Sequence, residues 1–178
     1  MYTDLLNDAK KQLAGAIVHK KHPFRYFTLT TVGKEGSPHS RTVVLRGVES
    51  DPFTIKVYTD TRSAKVQQLI QDPRAALLFY DSSQLLQLSI KAQLLSATDA
   101  ESAFAALTEP MKKDYSSTLA PGTPIEGPDQ VTYNFNQGYF TILTFEVISL
   151  EYLKLKRPNH LRILFSAEEN WKGVFLTP

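Results

Sequence analysis

Apolar residues recur along the chain with two different periods, and the change of period divides it. In residues 3–19, Leu5, Leu6, Ala9, Leu13, Ala16 and Ile17 return every three or four positions. That spacing puts them on one face of an α-helix, with Thr3 suited to the N-cap. From residue 24 the period falls to two. FRYFTLTTV (24–32), HSRTVVLRGV (39–48), FTIKVYT (53–59), AALLFY (75–80) and QLLQLSIKAQLLSA (84–97) are rich in β-branched and aromatic residues. Turn signals such as GKEGSP and ESDP separate them, so they predict strands. VYTDTRSAKVQQLIQDP (57–73) begins as a strand, turns a polar corner and continues as a helix.

TDAESAFAAL (98–107) carries a Thr98/Glu101 capping box and predicts a helix, with a second short one around Met111–Tyr115. SSTLAPGTPIEGPDQ (116–130) is too long for a plain connector, and such loops usually carry function. The chain ends in strands at YFTILTFEVISLEYL (139–153), HLRILFSA (160–167) and WKGVFL (171–176). Long strands in meander order favour an antiparallel sheet closed toward a barrel, which removes exposed edges. A doubly wound parallel sheet would need a helix after nearly every strand. The expected fold is mainly β (α+β), with a few peripheral helices. With 178 residues and neither a repeat nor a low-complexity tract, a single domain over 1–178 is expected.

Composition narrows the function classes. The net charge of +2 falls short of a strongly basic nucleic-acid binder. The chain has no cysteine, which excludes disulfides, thiolate chemistry and Cys-type zinc sites and points to the cytoplasm. MYTDLLNDAKKQLAGAIVHKK carries charges where a signal peptide would be apolar. No apolar run approaches the roughly 18 residues of a membrane span, so no membrane is expected. His19, His22, His39 and His160 fall at no metal-ligand spacing beside a carboxylate, and no metal is expected. P-loop, G-x-G-x-x-G and G-x-S-x-G motifs are absent.

Three places offer chemistry. Arg62, Ser63 and Lys65 stand at a helix start, where acidic residues are the favoured neighbours. If Ser63 caps that helix, the amides of residues 64–66 point outward and, with Lys65, suit a phosphate. A plain cap with solvated Arg62 and Lys65 fits the same residues. Arg41 and Arg46 lie five apart on one strand, so in an unbulged strand they face opposite sides. An inward arginine needs an anion, while a surface pair needs nothing. Gln87, Ser89 and Lys91 share one strand face and Leu86, Leu88 and Ile90 the other. Gln87 could offer a donor and an acceptor to a heterocycle, or face solvent.

Taken in order, SRTVVLR, VYTDTRSAK, QDPRAALLFY, a Gln-bearing strand and LEYL…HLRILFSAEENWKGVFLTP resemble the pyridoxamine 5′-phosphate oxidase-related FMN-binding proteins. The resemblance runs from about residue 24 to the last residue and is strongest over 41–80. It implies a split β-barrel that forms a homodimer, with FMN in the cleft between subunits. Arg41 and Lys65 match residues that meet the FMN phosphate, and Ser63 sits at the matching helix start. Such charge-assisted bonds contribute roughly 1.5–3 kcal/mol each. The backbone of Val43, Val44, Leu45 and Arg46 would run along the flavin, with Tyr58 and Thr59 on its other side. Gln87 matches a glutamine bonded to the flavin, and Arg162 an arginine near its pyrimidine edge.

The chain also departs from the oxidase. An Arg-x-His-x-Arg run that meets the oxidase's substrate reads Pro158-Asn159-His160-Leu161-Arg162 here. Glu109, before Pro110, replaces an arginine for the substrate phosphate, and Leu153 replaces a tryptophan. Arg46 stands where the oxidase has a substrate-contacting lysine. The resemblance therefore implies an FMN oxidoreductase of another small-molecule substrate, with Arg46, His160 and loop 116–130 shaping the pocket. It speaks against pyridoxamine 5′-phosphate oxidase activity itself. A flavin carrier or sensor without turnover, a deazaflavin in place of FMN, and a nucleic-acid-binding β-barrel are the rival readings.

Overall fold

The computed structural model describes residues 2–98, 101–135 and 138–178. Helix α1 (Tyr2–Val18) buries Leu6, Ala9, Leu13 and Ala16, the stripe that its period demands. A 3-10 turn over Pro23–Arg25 leads into β1 (Tyr26–Val32), β2 (Pro38–Val44), β3 (Gly47–Ser50) and β4 (Phe53–Asp60). Helix α2 (Ala64–Gln71) precedes β5 (Arg74–Asp81) and the long β6 (Leu86–Thr98). Two short helices, α3 (Glu101–Ala105) and α4 (Glu109–Lys113), come before β7 (Phe140–Lys154), β8 (Leu161–Ser166) and β9 (Val174–Phe175). Among the described residues no helix is long and apolar enough to cross a membrane.

Every pairing is antiparallel, in the order β2-β1-β5-β6-β7-β4-β3, with β8 on β7 and β9 on β8. Strand β7 is where the sheet splits. One of its edges runs along β6; the other pairs with β4 through Phe140–Glu146 and then with β8 through Ser149–Lys154. The end strands of the path, β2 and β3, are two halves of one chain segment. The Leu45 amide donates to the Arg25 carbonyl and the Arg46 amide to the Lys56 carbonyl, both at 2.9 Å. Two residues thus carry the chain from one wall to the other and close the barrel, leaving little open edge.

The interior is built by alternation. Strand β5 buries every second residue, and β6 does so over its first half. Phe27 stacks on Phe79 at 4.4 Å, and Phe24 meets the same ring edge-on at 5.6 Å. Burying a side chain of this size contributes about 1.5–3 kcal/mol.

Three local expectations are corrected and a fourth is left untested. Residues 39–48 form two strands, because their halves bond to β1 and β4 respectively. The strand expected from Phe24 starts at Tyr26, because the His22 Nδ1 accepts the Phe24 amide at 3.1 Å and holds a 3-10 turn there. Thr98 ends β6, paired with Ile142, and the Thr98/Glu101 capping box spans residues 99–100, which lie outside the described residues. The following helix starts at Glu109 rather than Met111, with Pro110 in the first turn, where its missing N–H costs nothing.

Candidate functional site

The polar corner sits at one end of the barrel, where β1, β2, β4 and α2 meet. Arg41 pairs with buried Leu29 and so points to the inner side of the wall. Its guanidinium donates to Thr31 Oγ1 at 2.6 Å and to Gln68 Oε1 at 3.1 Å. The Thr31 hydroxyl donates to the same Gln68 oxygen at 2.6 Å. Lys65 Nζ donates to Thr59 Oγ1 at 2.9 Å. Thr31 and Gln68 escaped the sequence reading. The signal for Gln68 is its place three residues after Lys65, on the same face of α2.

Ser63 occupies the N-cap position with extended backbone, but its side chain makes no capping bond. Its hydroxyl lies 3.3 Å from Thr59 Oγ1 instead, which corrects the expected cap. The Val66 amide donates to the Ser63 carbonyl, whereas the amides of Ala64 and Lys65 donate to no group among the described residues. Burial lowers the Lys65 pKa, and neighbouring Arg41 lowers it further, partly opposed by Asp60. Burial lowers the Arg41 pKa as well. Among the described residues no ion pair neutralises either cation. Two half-buried cations therefore share a recess beside free helix amides, an arrangement that an anion would relieve.

Arg62 does not join them. It grips Asp60, with Nη2–Oδ2 at 2.7 Å, and donates to the carbonyls of Ser117 at 2.8 Å and Thr118 at 3.2 Å. Its guanidinium also lies 3.3 Å from the centre of the Tyr139 ring. Arg62 ties down the start of loop 116–130 rather than facing the recess.

Arg46 emerges where the chain changes wall. Its guanidinium lies 5.4 Å from the Tyr58 ring centre, and its Nε is buried without a hydrogen-bond partner. Tyr58 and Tyr115 both meet Phe140 edge-on, at 5.0 and 5.1 Å. Burial raises the Tyr115 pKa, and the adjacent Arg46 works against that rise. Val43 and Val44 are half-buried, and Thr59 is buried. The Leu45 side chain is fully buried, so only its backbone can face a ligand.

Gln87 and Arg162 lie on the other side of the wall. Leu86, Leu88 and Ile90 face the core, as their alternation predicts, and Gln87 points outward. Register places Gln87, Leu153 and Arg162 in one row across β6, β7 and β8. Arg162 donates to Glu151 Oε2 at 3.0 Å and to the Thr177 carbonyl at 3.4 Å, while its Nε is buried without a partner. His160 is exposed in the connection before β8, and its Nδ1 accepts the Lys156 amide at 3.2 Å. No hydrogen bond or ring contact links His160 to Arg46.

The model of the pyridoxamine 5′-phosphate oxidase FMN-binding domain matches residues 3–97. A pyridoxine/pyridoxamine 5′-phosphate oxidase of Legionella pneumophila is 28% identical over 118 residues, 66% of this chain. The match spans 54% of that relative, about half its length. Pyridoxine/pyridoxamine 5′-phosphate oxidase 2 of Arabidopsis thaliana is 28% identical over 92% of this chain and 90% of its own. In fold, the chain is similar to a pyridoxamine 5′-phosphate oxidase-related FMN-binding protein of Nostoc punctiforme, with a TM-score of 0.76, 23% identity and 96% of each chain covered. It is likewise similar to PhzG of Burkholderia lata, solved with tetrahydrophenazine-1-carboxylic acid. There the TM-score is 0.78 and the identity 18%, over 97% of this chain and 92% of that one.

Proposed function

The chain belongs to the pyridoxamine 5′-phosphate oxidase family of FMN-binding domains, and from that premise we propose that it holds FMN between two copies of itself and oxidises or reduces a small molecule. The observation that carries this reading is the corner recess. Arg41 and Lys65 stand there without a neutralising ion pair among the described residues, beside the free amides of Ala64 and Lys65. A phosphate monoester, with its strong acceptor oxygens, fits those donors.

The places of the two clusters support a second copy. The recess opens on the inner side of the wall and the Gln87–Arg162 row on the outer side. One FMN can use both only if a neighbour supplies one of them. The outer face also leaves Tyr26, Leu78 and Tyr80 at 60, 41 and 49% exposure, apolar surface that a partner would cover.

In this arrangement Arg41, Lys65 and Ser63 bind the phosphate. The backbone of Val43, Val44, Leu45 and Arg46, with Tyr58 and Thr59, borders the ring. Gln87 and the unpartnered Nε of Arg162 complete its polar edge. Bound FMN supplies electron transfer, and the protein orients and tunes it. Positive charge from Arg162 favours a reduced, anionic ring, and Glu151, 3.0 Å away, moderates that effect.

The substrate differs from that of the oxidase relatives. Glu109 is an exposed carboxylate paired with Lys112 at 3.0 Å, which offers a phosphate nothing. The absence of cysteine supports a cytoplasmic setting.

The test is an FMN titration followed by absorption, on the wild type and on Arg41→Ala/Lys65→Ala. Micromolar or tighter binding, lost in the double variant, supports the reading. No binding at tens of micromolar overturns it. Bound FMN that neither nicotinamide nucleotides nor pyridoxine-type donors reduce would leave a flavin carrier or sensor in place of an enzyme.

A further inference from the structure

A closed ring of hydrogen bonds holds the Arg41 guanidinium in the corner recess. Nη1 of Arg41 donates to Thr31 Oγ1 at 2.6 Å and Nη2 to Gln68 Oε1 at 3.1 Å. Thr31, already an acceptor for Arg41, turns its own proton to the same Gln68 oxygen, also at 2.6 Å. The ring fixes the plane of the guanidinium. It fixes the amide too, because two converging donors require its oxygen there and not its nitrogen. Nη1 is further aimed at the Leu29 carbonyl, 3.4 Å away. Among the described residues Nε of Arg41 donates to nothing, so the edge formed by Nε and Nη2 is left for a ligand. That edge matches two oxygens of one phosphate.

Gln68 is the member of the ring whose charge matters. A glutamate could make the same two bonds, more strongly, and would lie three residues after Lys65 on the same face of α2. It would neutralise Arg41 and answer Lys65, whose pKa burial and Arg41 both lower. The nearby Asp60 carboxylate is spent on Arg62, with Nη2–Oδ2 at 2.7 Å. An amide aims Arg41 without cancelling it. The empty recess is left less stable, and its two positive charges are kept for the ligand.

We propose that Gln68 is a positioning residue that sets the recess for a dianion: its neutral oxygen presents the Nε–Nη2 edge of Arg41 and leaves both cations uncompensated. The proposal rests on reading the recess as the FMN phosphate site. It assigns the strength of that site to a side chain that carries no charge and need not touch the phosphate.

The test compares Gln68→Glu with Gln68→Met by thermal melting and by titration of the full chain with FMN, riboflavin and inorganic phosphate. Without ligand, Gln68→Glu should melt a few degrees above the wild type. It should nevertheless bind FMN about tenfold more weakly, with riboflavin affinity unchanged. Gln68→Met strips the buried Thr31 hydroxyl of its acceptor, so it should melt below the wild type and lose FMN affinity as well. A purely structural role predicts the opposite order, because glutamate keeps both bonds and should then bind FMN as the wild type does. Gln68→Glu that binds FMN as tightly as the wild type, or that melts below it, would overturn the proposal. FMN uptake that is equal in the two defeats this inference alone. If the wild type takes up no FMN, inorganic phosphate decides. Phosphate that raises the melting temperature of the wild type, and raises that of Gln68→Glu less, upholds the inference and defeats the flavin reading. Phosphate that leaves the wild type unmoved defeats both.

Discussion

The corner recess and the outer-face row differ in how complete they are within one chain. In the recess, Arg41 is held by Thr31 and Gln68, and Lys65 by Thr59, so the cations are aimed before any ligand arrives. In the row, Gln87 has no side-chain hydrogen bond among the described residues and Arg162 leaves its Nε unpaired. Local sequence builds the first, since α2 follows β4 directly and brings Ser63, Lys65 and Gln68 to one corner. The second is assembled from distant strands and left facing outward. Preorganisation strengthens binding by reducing the ordering that binding requires. In the proposed arrangement, phosphate affinity belongs to a single chain and the ring contacts to the assembled pair.

Breaking the assembly should have the largest effect. Leu78→Glu places an unpaired charge on the outer apolar face, and burying it at an interface is heavily penalised. The proposed dimer should dissociate, and FMN affinity should fall on the order of a hundredfold or more although the recess is untouched. Sedimentation velocity beside an FMN titration checks both parts. Unchanged FMN affinity in a monomeric variant would show that one chain suffices.

Arg41→Ala attacks the finished side. It should weaken FMN by roughly 1.5–3 kcal/mol, about tenfold to a hundredfold, with the dimer intact. The same titration and sedimentation runs read it.

Lys65→Met should weaken FMN by about tenfold, yet raise the melting temperature of the flavin-free protein. The sign follows from the depressed pKa. A lysine whose folded pKa lies below its ordinary 10.5 binds fewer protons folded than unfolded, so the flavin-free wild type gains stability as pH rises between the two values. Phosphate favours the charged lysine, so FMN affinity should fall over that alkaline range. Both pH trends should vanish in Lys65→Met. Melting curves and titrations across alkaline pH would show whether they do.

Ser63→Ala should have the smallest effect. A working N-cap is worth about 1 kcal/mol, but Ser63 makes no capping bond, so flavin-free stability should change by less than about 0.5 kcal/mol. A denaturant titration that found a full kcal/mol would restore the cap.

Much of this was legible in the sequence because it is local. The stripe of α1, the alternation of β5 and β6, and the corner between β4 and α2 follow from periods and turn residues alone. The break at Leu45–Arg46 was not, because SRTVVLRGV alternates straight through it. Only the pairing of its halves with β1 and β4 creates it. Arg62 read as one of three residues at a helix start where an anion was expected, because charge was counted without direction. Asp60, two residues earlier, and the loop carbonyls turn it away. Thr31 beside Arg41, and Tyr115 beside Arg46, are tertiary meetings that no spacing announces. Strand spacing offered Arg41 and Gln87 as candidates, the family resemblance added Arg162, and the register showed that they lie on two sides of the wall.

The central claim is that Arg41 and Lys65 form a phosphate cradle. It is tested most directly by comparing FMN with riboflavin, which has the same ring and no phosphate. Two charged contacts at roughly 1.5–3 kcal/mol each predict that the wild type binds FMN at least about a hundredfold tighter than riboflavin. In Arg41→Ala/Lys65→Ala the difference should shrink to a few-fold. Riboflavin binding as tightly as FMN, or a preference for FMN that survives loss of both cations, would contradict the account.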